Sequence, residues 1–65
     1  MHFRAVLINF DRRPVYEGKQ IDDAKKACEA ACLECVIEMY DKNNIEEGFM
    51  SWSPLRGYST TWNYL

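Results

Sequence analysis

The chain has one histidine, His2, three isolated glycines (Gly18, Gly48, Gly57) and two prolines. Each scarcity excludes something. Without a glycine-rich loop there is no phosphate cradle. A single histidine beside the amino end leaves the three cysteines without a base to make one of them a nucleophile. No stretch approaches the roughly 20 apolar residues of a membrane span. A basic segment followed by an apolar run is also missing at the amino end, so no secretory leader is expected. Positive charge is not in excess: eight Lys and Arg face ten Asp and Glu, a formal charge of −2. That balance argues against nucleic-acid binding through bulk electrostatics. The odd cysteine count fits a reducing compartment, so the cytoplasm is expected.

What remains is a folded chain. Of 65 residues, 48% are hydrophobic and 14% aromatic, values of a single globular domain spanning 1–65. A chain this short buries only about 60% of the surface it exposes when unfolded. Charge is uneven along it. Residues 21–47 carry eight acids against three lysines, and the remainder carries five basic residues against two acids. Arg12 and Arg13 make a basic tip near the start.

Residues 3–10, apolar and rich in β-branched and aromatic side chains, predict a strand. Asp11-Arg12-Arg13-Pro14 has turn chemistry, and Val15–Glu17 returns as a short second strand. Helix is expected over 22–41, which is rich in Ala, Glu, Lys, Leu and Met and free of Gly and Pro. Asp22 and Asp23 suit its first turn, and Asn43 and Asn44 its end. Glu47–Ser53 predicts a strand, 54–57 a turn and Tyr58–Leu65 a strand, with Tyr58, Thr60, Trp62 and Tyr64 on one face. The expected fold is α+β in the order β(β)αββ, with one helix on one face of an antiparallel sheet of three or four strands.

Cys28, Cys32 and Cys35 have the spacing C-x3-C-x2-C. It resembles the iron–sulfur motif of radical S-adenosylmethionine enzymes, where three thiolates converge on one cluster. The chain is too short for that family's barrel and the segment reads as helical, so no metal or cofactor is expected. On a helix, Ile21, Ala24, Cys28, Ala31, Cys32, Cys35 and Met39 share one stripe facing the sheet. Leu33 and Ile37, with Ala30, then lie opposite, either as isolated aliphatics on the surface or as a contact surface for a partner or a symmetric copy.

One helix cannot roof all the large apolar groups. Trp52, Trp62 and Tyr58, together with Leu33, Ile37, Arg12 and Arg13, are therefore the expected partner-binding residues. Catalysis is not expected. The partner is a larger protein or complex, with homodimer formation through the helix stripe or a sheet edge as a further reading; no membrane is implied. An aromatic sheet face could instead stack the bases of a single-stranded nucleic acid, the alternative in another class.

Val15–Ala27, a strand leading into a helix that opens Asp22-Asp23-Ala24, together with the β-α-β-β order, resembles small phage-encoded inhibitors of host machinery. These include inhibitors of bacterial RNA polymerase and anti-CRISPR proteins. The resemblance implies a stand-alone inhibitor that occupies a surface on something larger, and it transfers no functional residue.

Overall fold

A computed structural model describes residues 1–59 and 62–64. The chain runs β1 (His2–Leu7), β2 (Pro14–Gly18), α1 (Ile21–Ala31), β3 (Cys35–Tyr40), β4 (Glu46–Ser53), β5 (Gly57–Tyr58) and β6 (Asn63–Tyr64). The strands form one antiparallel sheet in the order β2-β1-β3-β4-β5, with β6 pairing a second stretch of β4. The α+β class and the single helix packed on the sheet are as expected. The strand count is not: the described residues form six, because two expected elements divide.

The first division changes the most. The helix stops after Ala31, eight residues after its first acidic turn, and Cys32 adopts a left-handed φ of 57°. The Cys32 N–H closes the end by donating to the Cys28 and Glu29 carbonyls. Residues 35–40 are a strand, and a central one. Their side chains alternate Cys35, Ile37, Met39 against Val36, Glu38, Tyr40, and Val36, Ile37 and Tyr40 favour extended backbone. The expected stripe of Cys35 and Met39 on a helix, with Leu33 and Ile37 opposite, does not exist. Asn43 and Asn44 shape the β3–β4 turn instead. Asp41 Oδ1 accepts from the Asn43 and Ile45 N–H groups at 2.8 and 3.0 Å, and Asn44 takes φ 63°.

The second division breaks the last strand. Gly57–Tyr58 pairs with Trp52 and Ser53, while Asn63–Tyr64 pairs with Gly48 and Phe49. Thr60, Thr61 and Leu65, part of the expected single strand, lie outside the described residues. Gly48 permits β6 to lie close, since a Cβ there would come to 3.0 Å from the Asn63 carbonyl. The N-terminal hairpin and the strand ending at Ser53 match expectation to within about three residues.

Register sets the core. Phe3, Ala5 and Leu7 of β1 stand opposite Met39, Ile37 and Cys35 of β3, which in turn oppose Gly48, Met50 and Trp52 of β4. This face receives α1 through Ala24 and Cys28, four residues apart on one side of the helix. The helix lies mainly across β1 and β2. Toward β4 the same face is roofed by side chains: Trp52, Tyr58 and Trp62 pack partly buried against the core. Three rings do there what a longer helix would do.

A candidate docking surface

The partner-binding residues expected from sequence fall into three groups in space. Trp52, Tyr58 and Trp62 form a shelf beside α1. Trp62 stacks on Phe3 with centroids 6.0 Å apart, and Trp52 tilts against Tyr58 at 6.1 Å. The Tyr58 hydroxyl donates to the Glu29 carboxylate and lies 3.0 Å from the Lys25 carbonyl, while the Lys25 ammonium sits 5.1 Å over its ring. Burial, then the bond to Glu29, raises the pKa of this phenol far above the ordinary tyrosine value. The shelf is thus locked to the helix and wet on one side.

Ile37 does not belong to any surface. It is fully buried in the middle of β3, between Ala5 and Met50. Because the helix ends early, a residue expected on an outer helix face is the centre of the sheet. Leu33, in the link between α1 and β3, remains 42% exposed.

Arg12 and Arg13 sit in the β1–β2 connection. Phe10, Asp11 and Arg12 take φ values of 64°, 58° and 54°, a left-handed run without glycine. Such residues cost about 1–2 kcal/mol each. The run turns Arg12 back over the sheet face opposite α1, where its guanidinium meets Glu38 at 2.9 Å. Glu38 is 7% exposed and also accepts from the Tyr40 hydroxyl at 3.0 Å. Burial, then this bond, raises the Tyr40 pKa. His2 stacks on Tyr40 at 5.0 Å. Arg13 points to solvent.

The same left-handed run throws Phe10 outward, 64% exposed. Ile8, in the same connection, donates its N–H to the Glu34 carbonyl and so sits beside the α1–β3 link. Leu55, at the tip of the β4–β5 turn, is 97% exposed. Because Leu7, Cys35 and Trp52 are register neighbours, all three connections emerge at one end of the sheet. An open groove of about 790 Å³ runs between them, lined by Ile8, Glu34, Ser51, Ser53, Leu55 and Arg56 among others. Sequence reasoning did not single out Phe10, Ile8 and Leu55 as exposed apolar groups. The available signal was an apolar residue inside turn chemistry, as in Pro54-Leu55-Arg56-Gly57.

The three sulfurs are divided among helix interior (Cys28), helix cap (Cys32) and strand (Cys35). No cluster of three or more metal-ligating side chains occurs among the described residues, and among them no helix is long and apolar enough to cross a membrane. No protein-family model matches the chain. Neither the curated proteins nor the solved structures contain a match.

Proposed function

We propose that this chain is a non-catalytic protein-binding module that inhibits or modulates a larger host protein or complex, in the manner of phage or mobile-element inhibitors. One observation carries the reading. Ile8, Phe10, Leu33 and Leu55 leave three different connections at one end of a 65-residue domain and stay exposed there. Water-facing apolar groups gathered at one place mark contact sites, whereas scattered ones carry no meaning. Trp52 extends the patch, and Arg13 and Arg56 supply a basic rim. Aromatic and arginine side chains are those that dominate binding energy.

Stacking of single-stranded nucleic acid on the sheet finds less support. The face opposite α1 presents Arg4 and Phe49 among Glu17, Glu38 and Glu46, and carboxylates repel phosphates. The test is capture from a bacterial lysate with a photo-crosslinker in place of Leu55, compared with the same group in place of Lys42 at the opposite end. A partner crosslinked from position 55 and lost in Phe10→Ser supports the module. Equal yields from both positions refute it.

A further inference from the structure

Two of the three cysteines meet in the core. Cys28 projects from the buried side of α1 and Cys35 opens β3; both are fully buried, in one cluster with Leu7 and Ile37. Each thiol also alters the other's ionisation, so within that cluster the two side chains are neighbours. Cys32 lies between them in sequence, at the left-handed cap. Its thiol is exposed and donates to the Glu29 carbonyl at 3.3 Å.

We propose that Cys28 and Cys35 form a reversible disulfide fastening α1 to the central strand, with Cys32 as the thiol through which a low-molecular-weight disulfide enters. The exchange balances in three steps. The Cys32 thiolate attacks RSSR, forming a mixed disulfide and releasing RS⁻, which takes up the proton Cys32 gave. Cys35 attacks the Cys32 sulfur, releases the second RS⁻ and hands it a proton. Cys28 then attacks the Cys35 sulfur, the Cys28–Cys35 bond forms, and Cys32 regains its thiol with the Cys28 proton. Two electrons pass from the protein to RSSR, which leaves as two RSH.

The order follows from access and ionisation. Only a thiolate attacks, and a thiol buried in apolar surroundings is slow to become one. Burial, with the bond to Cys35, pushes Cys28 up to about 12. Burial also raises Cys35, but the hydrogen bond from Cys28 works the other way and leaves Cys35 the better attacking sulfur of the two. Cys32 alone stands in water, three residues from Cys35.

The experiment incubates the full chain with oxidised glutathione, quenches with acid, alkylates in denaturant and maps the peptides. The expected result is a fall from three alkylated cysteines to one, with the label on Cys32 and a peptide linked through Cys28 and Cys35. Cys32→Ser, an exposed substitution that leaves the core intact, reaches the same linkage at least about tenfold more slowly. Three thiols surviving, a final disulfide that includes Cys32 (within one chain or between two), or an unchanged rate in Cys32→Ser would each overturn the proposal.

Discussion

Leu33 and Ile37 lie four residues apart and would share a helix face, yet the structure gives them opposite fates, and substituting each by alanine separates the two geometries. Ile37 is fully buried, with Ala5 and Met50 across it on the neighbouring strands. Truncating such a side chain removes its transfer energy and leaves a cavity, about 2–5 kcal/mol together. A domain of this length holds roughly 0.05–0.15 kcal/mol per residue, so roughly 3–10 kcal/mol in all. Ile37→Ala therefore consumes a large share of the total. Each kcal/mol lowers Tm by about 4–8 °C at this size, so a fall of at least about 8 °C is expected. Ile37→Val, which stays folded, costs about 0.5–1.5 kcal/mol. Leu33→Ala, on an exposed link, stays within about 0.5 kcal/mol of wild type. Urea titration followed by the fluorescence of Trp52 and Trp62 and by circular dichroism reads all three, with an unchanged slope showing that compactness is constant. Equal losses from Leu33→Ala and Ile37→Ala would return both residues to one helix face and refute the short helix.

Stability is expected to fall in alkali. An unfolded cysteine ionises near about 8.5, and Cys28 in the fold near about 12. The folded state holds this proton more tightly, so its contribution is full below the unfolded value and is lost as pH rises toward the folded one, at most about 1.4 kcal/mol per pH unit. Tyr58 adds to the loss in the same direction. Urea midpoints measured with reductant at pH about 7 and about 10 should differ in wild type and differ less in Cys28→Ala; a flat wild-type profile contradicts the buried thiol. In a double-mutant cycle, Arg12→Ala and Glu38→Gln should couple by about 0.5–1 kcal/mol, modest because the Arg12 side chain is 57% exposed. Zero coupling would mean that Arg12 does not hold the connection over the sheet. Phe10→Gly relieves a left-handed ring-bearing residue and should leave stability unchanged or raise it by up to about 1 kcal/mol. A loss in urea midpoint would show that the ring packs rather than projects.

The N-terminal hairpin and β4 were the more legible parts of the fold. β1 and β4 carry runs of apolar, β-branched and aromatic side chains, and Pro14 limits β2 to an edge, where it stands. The middle was not legible. Ala24, Cys28 and Met39 satisfy a helical spacing that also runs on through Cys35, and nothing at Cys32 signals a stop. Glycine or asparagine usually marks a left-handed cap. Here a cysteine takes that conformation, while the two asparagines that advertise it lie eleven and twelve residues further on, in a hairpin. The period of two in Cys35–Tyr40 competes with a period of 3.6 over the same six residues. Tertiary context decides it, because the sheet needs a strand between β1 and β4 to bury Ala5 and Met50.

That one misplaced boundary also bears on where exposed apolar side chains were expected. Sequence reasoning held that one helix, placed over 22–41, cannot roof all the large apolar side chains of a sheet of three or four strands. It then looked for the surplus among the largest residues, and those are the ones the fold consumes. Trp52, Tyr58 and Trp62 extend the roof past the edge of α1, and the Tyr58 hydroxyl is tied to Glu29. Rings are suited to this because each can seal the core with one face and meet water with the other. At this end of the sheet the groups left over are aliphatic or sit in turns, Ile8, Phe10, Leu33 and Leu55, while Met1, Ile45 and Tyr64 are exposed at the other end. A connection has no second layer to bury them, so their exposure does not depend on how the core packs. Leu55 is the sharpest case, since a polar residue would serve the β4–β5 turn equally well and leucine there gives the monomer nothing. The cost of a left-handed Phe10 has the same character, strain and exposed area with no return inside the domain. A contact made outside the domain would give both a return, and on that ground the proposed docking surface centres on the turns, with Trp52 of the aromatic shelf only at its edge.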